Sequence, residues 1–369
     1  MRVVVLGGYG NFGARITRAL AGDPHIELVI AGRDARRAAA FASSLPSAAQ
    51  AIALDTTAPD FGERLRSAAP GLVIHTAGPF QGQGYAVAQA AASCGAHYID
   101  LADGRRFVCD FAATLDARFK VAQRVGISGA STVPALSSAV VDAQRGRFAE
   151  LHAIELCIAP AQQAPRGEAT LAAVLSYCGE PVSVWQQGRW QQRIGWAQAA
   201  RVRFAHMPSR WGALCDIPDL ELFPQRYGGV QDVMFRAALE VAVTQRMFAL
   251  LAWARRQRLL GRASALAPWL HRASAWFDRF GSALGGMVVR MSGLSPQGRP
   301  LRLEWHLSAD HNHGPEIPCM PAVLLARRLA RGEVPSAGAR ACMGLLKLPE
   351  FSPEFARWGM RSELIESGA

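Results

Sequence analysis

Val3-Val4-Val5-Leu6-Gly7-Gly8-Tyr9-Gly10-Asn11-Phe12-Gly13 is the stretch from which the rest of the chain is read. A β-branched run empties into a GxGxxG pattern, and Ala14, Ile16, Ala19 and Leu20 follow at helical spacing. That order spells a strand, a tight turn and a helix N-terminus. Gly8 lets the chain turn sharply, Gly10 leaves room for a pyrophosphate beside the backbone, and Gly13 lets the helix pack closely on the strand. The unpaired N–H groups at the start of such a helix point at phosphate. A dinucleotide site is therefore expected at Gly7, Gly8, Tyr9, Gly10, Asn11, Phe12 and Gly13.

Working outward, strand and helix patterns alternate to about residue 140, as a parallel sheet with crossover helices requires. The second strand, 26–31, ends in Gly32-Arg33-Asp34. NAD-preferring sites hold the ribose 2′-hydroxyl with an acidic residue about 20 positions past the glycines. Here Gly32 sits near that position and Arg33 follows, and a guanidinium pairs with a 2′-phosphate that a carboxylate would repel. NADP is favoured over NAD, with Asp34 keeping NAD open. A third strand, 51–54, precedes Asp55, placed where an adenine could lie, and Asp60 reads as a helix cap. The fourth strand, 72–77, runs into Gly78-Pro79-Phe80, a loop expected beside the cofactor's ribose and nicotinamide. A helix over 85–94, a strand over 98–101, a helix over 107–125 with Phe107, Phe111, Leu115 and Phe119 on one stripe, and a strand over 127–130 complete a doubly wound unit.

Beyond residue 138 the pattern becomes mixed. Strands are expected at 151–159, in a hairpin at 182–190 and in a second hairpin over 287–292 and 301–308; helices are expected at 169–178, 232–260 and 265–280. Pro318 and Pro321 open a further helix to Arg331. The expected fold class is α/β: an N-terminal Rossmann doubly wound parallel sheet over 1–138, a mixed α/β domain with inserted helices over 139–314, and a segment over 315–369 whose helix packs back on the first domain.

The 369 residues are half hydrophobic and 19% charged, which excludes a disordered chain. The net charge of +11 is almost wholly arginine, since Lys120 and Lys347 are the only lysines. Such a surface attracts anions, but the basic residues form no nucleic-acid-binding module, so no nucleic-acid partner is expected. Seven spread cysteines without a CxxC pair imply neither a disulfide framework nor zinc. The N-terminal apolar run is too short for a signal peptide and no stretch is long enough to span a bilayer, so a cytoplasmic protein is expected.

Five ordered motifs, Gly7 to Gly13, Ala31-Gly32-Arg33, Thr76-Ala77-Gly78-Pro79-Phe80, His97-Tyr98-Ile99-Asp100-Leu101 and the Pro134 segment, together resemble the saccharopine dehydrogenase-like, or saccharopine reductase-like, NADP-binding family. The resemblance covers about residues 1–140. It implies a two-domain NADP-dependent oxidoreductase with hydride transfer in the cleft between its domains. By that likeness the glycines hold pyrophosphate, Arg33 the 2′-phosphate, and Ala77, Gly78, Pro79 and Phe80 the nicotinamide side. The second half lacks a motif that would place a set of carboxylate-binding cations, so the acceptor is open: an imine, or another small or hydrophobic compound, a lipid-linked enoyl group among them. A non-catalytic NADP-binding sensor or scaffold is the reading from a different class.

A hydride transfer is usually matched by a proton transfer. Tyr98 and Asp100 lie at the end of the fifth strand, Asp100 reading either as a polar contact to substrate or ribose or as a cap on the turn before Gly104. His313 and Glu316 flank Gly314-Pro315 before a helix N-terminus, reading as a substrate-side acid and its orienter or as a capped turn. His306, His311 and His313 lack metal-site spacing, and no metal is expected. No GxSxG elbow supports hydrolase chemistry, and Tyr85 lacks the lysine of a tyrosine–lysine dyad. Over 237–280, Val241, Met247, Phe248, Leu250, Leu251 and Trp253 precede Arg255, Arg256, Arg258 and Arg262, with Trp269, Trp276 and Phe277 beyond. This is a core or homodimer helix with a basic tail, or a peripheral contact with an anionic membrane.

Overall fold

The structure, a computed structural model, describes residues 1–165, 167–261 and 263–368. Strand β1 (Arg2–Leu6) feeds α1 (Asn11–Leu20), and the alternation continues through β2 (Glu27–Gly32), α2 (Ala35–Ser43), β3 (Gln50–Ala53), α3 (Phe61–Ser67), β4 (Leu72–His75), α4 (Ala86–Ser93) and β5 (His97–Asp100). The helix expected over 107–125 is two helices, α5 (Arg105–Cys109) and α6 (Phe111–Val121), joined at Asp110, before β6 (Val125–Ser128). Val3, Val4, Val5, Val29, Ile30, Val73 and Ile74 are all fully buried, as strands covered on both faces require.

The second unit begins with α7 (Ser137–Arg145) and β7 (Glu150–Ala159), then α8 (Glu168–Ser176), the hairpin β8 (Pro181–Gln186) and β9 (Arg189–Ile194), β10 (Ala200–Val202), β11 (Arg210–Leu214) and α9 (Asp219–Arg226). Residues 232–260 are not one helix. They form strand β12 (Asp232–Leu239) and then α10 (Ala242–Arg256). Met, Arg, Ala and Leu in Met234 to Leu239 favour a helix locally, but this segment lies between β7 and β11, and burial of Val233, Phe235 and Ala238 outweighs that preference. The helix expected over 265–280 is short α11 (Ala267–Ser274) flanked by 3₁₀ turns, Ala263–Leu266 and Ala275–Phe280. The long antiparallel pair β13 (Gly285–Leu294) and β14 (Pro300–Ala309) follows.

The chain then gives α12 (Met320–Ala330), β15 (Gly338–Ala341), α13 (Leu348–Arg357) and β16 (Arg361–Gly368). Residues Met1–Leu136 and Glu316–Leu346 form one compact unit, and Ser137–Pro315 with Lys347–Ala369 form the other. The segment 315–369, read above as one closing piece, is thus shared between the two units. The first unit has a seven-stranded sheet ordered β15-β6-β5-β4-β1-β2-β3, with every pairing parallel. Its order reverses between β1 and β4, the position at which doubly wound sheets open a ligand crevice. Within this unit α12 packs against α1, and Arg327 Nη2 donates to Ala19 O at 2.9 Å.

The second unit is built on a mixed sheet ordered β10-β11-β12-β7-β13-β14-β16, with β8 joining through β12 and β9. α7 packs on β13, α9 on β12 and α13 on β16. Asp219, at the start of α9, is fully buried and accepts a hydrogen bond from the Ser137 hydroxyl; burial pushes its carboxyl up to about 7. All seven cysteines are free.

Candidate functional site

The glycine turn between β1 and α1 is held from three sides. Gly7 N and Gly8 N both donate to Ala31 O, at 2.8 and 3.2 Å, and Gly10 N donates to Gly7 O at 2.8 Å. Gly7 has φ +76°, a conformation that glycine adopts without strain. A Cβ at Gly13 would lie 2.1 Å from Gly7 O and 2.7 Å from Thr76 Oγ1, so the start of α1 touches the turn backbone directly. Thr76 braces the same point, donating to Leu6 O at 2.8 Å. Gly10 is extended and no side chain caps α1, leaving the positive end of the helix to an outside anion. These residues fit a pyrophosphate: backbone groups of Tyr9, Asn11, Phe12 and Gly13 would hold it, while Gly8 N and Gly10 N keep the turn closed on Ala31 O and Gly7 O.

The end of β2 has a second built feature. The Tyr9 ring covers Gly32 so closely that a Cβ there would be 2.4 Å from Tyr9 Cε1. The Tyr9 hydroxyl accepts from Asp34 N at 3.0 Å, and the Arg37 guanidinium lies 5.0 Å over the ring. Asp34 is the cap of α2, accepting from Arg36 N at 2.9 Å and Arg37 N at 3.0 Å, so its carboxylate serves the helix. Arg33, Arg36 and Arg37 are exposed around this corner. A side chain at Gly32, near the position that carries a ribose-binding acid in NAD sites, would thus displace the Tyr9 ring, and exposed Arg33, Arg36 and Arg37 follow it in the chain. The stretch Gly32-Arg33-Asp34-Ala35-Arg36-Arg37 puts Arg36 and Arg37, in the first turn of α2, three and four residues beyond Arg33. Asp55 is bound by Thr57, through N at 3.0 Å and Oγ1 at 2.7 Å; these bonds, with Arg33 nearby, hold its carboxyl below the usual range.

The loop after β4 is folded on itself by Gln83 Nε2, which donates to Pro79 O at 2.6 Å and Ala77 O at 3.0 Å. Ala77, Gly78 and Pro79 line its partly open side, whereas Phe80 turns inward between His75 and Phe107, 5% exposed. The Phe80 side chain is thus part of the core, and only its backbone would be open to a ligand. His75 is buried with Nδ1 3.1 Å from the Tyr98 hydroxyl, and burial takes its pKa down to about 4, so the ring is neutral.

Of the candidate proton donors, Asp100, Tyr98 and Glu316 lie in the first unit and His313 in the second. Asp100 is fully buried and its Oδ1 accepts from Gly129 N at 2.8 Å, Ala102 N at 2.9 Å and Ser128 Oγ at 3.0 Å, tying the ends of β5 and β6 together. Burial raises its carboxyl to about 6 against those bonds. Tyr98 is fully buried too, and burial followed by the Asp100 charge pushes its hydroxyl well above the ordinary phenol range. Glu316 belongs to the first unit, where its carboxylate is 2.9 Å from Arg15 Nε. His313 belongs to the second unit, with Nδ1 3.0 Å from Trp358 O and its ring 5.0 Å from the Trp358 ring.

Within the second unit a cavity of about 160 Å³ is lined by Glu155, Cys157, Arg201, Val202, Arg236 and Arg290, among others. Strand register brings Arg236 beside Cys157 and Arg290 beside Glu155, and Glu304 neutralises Arg290 at 2.9 Å. Arg201 and Arg236 leave this lining cationic, suited to an anion.

A seven-stranded parallel sheet with an uncapped, glycine-lined helix start at its switch point defines a dinucleotide-binding protein of the Rossmann class, here joined to a mixed-sheet unit. Residues 3–142 match the family model of the saccharopine dehydrogenase NADP binding domain. The whole chain shares its fold with saccharopine dehydrogenase (L-Glu forming) from Saccharomyces cerevisiae, at TM-score 0.70 and 13% identity over 100% of both chains. It is similar to a homospermidine synthase from Legionella pneumophila in complex with NAD, at TM-score 0.64 and 10% identity over 99% of this chain and 91% of that one. C. glutamicum DAP dehydrogenase follows at TM-score 0.50 and 14% identity, over 96% and 98%. No protein of curated function matches the sequence.

Proposed function

We propose that this protein is an NADP-dependent oxidoreductase that moves a hydride between the nicotinamide and an imine, or another small or hydrophobic acceptor. The observation that carries the reading is the first unit's paired recognition: an uncapped α1 start for the pyrophosphate, and exposed Arg33, Arg36 and Arg37 following a Gly32 position covered by the Tyr9 ring. The names of similar structures, two dehydrogenases and a synthase holding NAD, support the same class of chemistry.

When bound, the cofactor supplies the hydride; the chain supplies binding and orientation. Gly8 to Gly13 fix the phosphates, the arginine corner selects the 2′-phosphate, and the 77–80 loop sets the nicotinamide side. Asp100, Tyr98 and Glu316 are committed to bonds inside the first unit and act as positioning groups. An iminium acceptor fits this arrangement, because hydride adds to carbon, the C=N π electrons pass to nitrogen, and the product amine needs no proton from the protein at that step.

The test is a fluorescence titration with NADPH and with NADH on the full chain and on Arg33→Ala. Saturable NADPH binding, tighter than NADH and weakened about tenfold or more by Arg33→Ala, is expected from loss of one charge-assisted contact. Equal binding of both cofactors, or an unaffected variant, overturns the NADP assignment. NADPH oxidation is then followed with amine–carbonyl pairs and with enoyl lipids. Binding without turnover on any of them favours a non-catalytic sensor or scaffold.

A further inference from the structure

The second unit carries an apolar surface that its own fold does not cover. On α10, Gln245, Phe248 and Ala252 are buried, and Phe248 and Ala252 pack into a cluster with Leu175, Cys178, Trp196 and Ala213. At 3.6 residues per turn, Val243, Arg246, Leu250 and Trp253 fall on the opposite side. Leu250 is 62% and Trp253 54% exposed. Ala263 and Ala267, the latter opening α11, close the same cluster, so the outer faces of both helices turn away from it. On and beyond α11, Trp269 is 77%, Trp276 75% and Phe280 63% exposed. Isolated apolar side chains on a surface need no explanation, but three tryptophans with Leu250, Leu259 and Phe280, carried on or just beyond two helices that share one buried cluster, do.

The charge around them selects the occupant. Residues 241–280 hold seven arginines and a single carboxylate, Asp278. Asp278 accepts from Gln162 Nε2, and Arg255 pairs with Glu180. Arg246, Arg256, Arg258 and Arg272 are exposed and have no ion-pair partner among the described residues; Arg262 lies outside those residues. A second copy docking here would set arginines against arginines, which costs association. Anionic headgroups above an apolar layer match both features: tryptophan rings settle at the headgroup level while guanidinium groups pair with phosphates. No helix among the described residues is long and apolar enough to cross a membrane, so the contact is peripheral.

We propose that the outer faces of α10 and of the 267–280 segment dock the protein on an anionic lipid surface. The proposal stands on the second unit alone and does not depend on the oxidoreductase reading.

The full chain is mixed with vesicles of phosphatidylcholine alone, or of equal parts phosphatidylcholine and phosphatidylglycerol, and followed by flotation. Binding to the mixed vesicles only is expected, with a blue shift of tryptophan emission, quenching by brominated acyl chains, and release by salt. Arg246→Gln, Arg256→Gln, Arg258→Gln and Arg272→Gln should each weaken partition roughly 5-fold, in line with the attraction of one cation near such a surface. Trp253→Ala/Trp269→Ala/Trp276→Ala should abolish the residual binding, and circular dichroism with NADPH titration checks that this variant stays folded. Absence of binding to mixed vesicles, binding untouched by the triple variant, or wild-type binding without acyl-chain quenching overturns the proposal. Self-association that the same substitutions abolish, seen by light scattering without vesicle binding, overturns it in favour of a contact between copies.

Discussion

Gly32→Asp is the substitution that most directly probes how the cofactor is selected, because it installs the acid that NAD sites use. The new Cβ would lie 2.4 Å from Tyr9 Cε1 and 2.7 Å from the Tyr9 hydroxyl oxygen. Ordinary contact is about 3.5 Å, so the ring must move by about 1 Å. Moving it breaks the bond from Asp34 N and the contact with Arg37. Together those are worth about 1–2 kcal/mol, which thermal denaturation will register. The carboxylate also stands where a 2′-phosphate would approach; two unit charges about 4 Å apart cost ~4 kcal/mol at an effective dielectric of 20. NADPH affinity should therefore fall by at least about 100-fold. NADH affinity should not rise in the single variant, because the displaced tyrosine obstructs the corner. Tyr9→Ala/Gly32→Asp frees the space and should bind NADH more tightly than either single variant. Isothermal titration with both cofactors reads this cycle. If Gly32→Asp alone binds NADH as tightly as the parent binds NADPH with unchanged melting temperature, Tyr9 does not occupy that position in the working protein, and the selectivity argument fails.

Three further outcomes are expected. Gly13→Ala pushes a methyl group to 2.1 Å from Gly7 O, so it should lower stability by about 1–3 kcal/mol and remove most NADPH binding, read by denaturant titration and fluorescence. Asp100→Ala leaves three buried donors without their acceptor and should cost about 3–5 kcal/mol, whereas Asp100→Asn keeps an accepting oxygen and turnover within a few-fold; lost turnover at unchanged stability in Asp100→Asn would make Asp100 a catalytic acid instead. The Asp219 carboxyl, raised to about 7 from 3.8, holds a proton in the folded state that the unfolded chain has released. Its contribution is complete below the unfolded value and is lost as pH rises through the folded one, at about 1.4 kcal/mol per pH unit between them, so melting temperature should fall from pH 5 to pH 7.5 and Asp219→Asn should flatten that slope.

The difference between what the sequence discloses about the two units has a physical origin. Phosphate recognition uses backbone N–H groups, and backbone geometry leaves a mark in the sequence as glycines at fixed spacing: a Cβ would come within 2.9 Å of backbone at Gly8 and 2.1 Å at Gly13, and Gly10 is nearly as tight at 3.0 Å. The parallel strands are legible because Val3 to Val5 and Leu72 to Ile74 are buried on both faces. Strand β15 was not, since Gly338-Ala339-Arg340-Ala341 has no apolar run and joins the sheet only by pairing with β6. The same holds for β12, whose residues favour a helix until β7 and β11 flank them. Side-chain recognition leaves still less trace. Glu155, Arg201, Arg236 and Arg290 line one cavity from four strands, and only the register of Arg236 with Cys157 and of Glu155 with Arg290 sets them side by side. No spacing rule along the chain announces such a set, because the distances that matter run across the sheet and not along a strand. On the proposed function an acceptor would be recognised by groups of this kind, written in strand pairing, while the cofactor side is written in glycines.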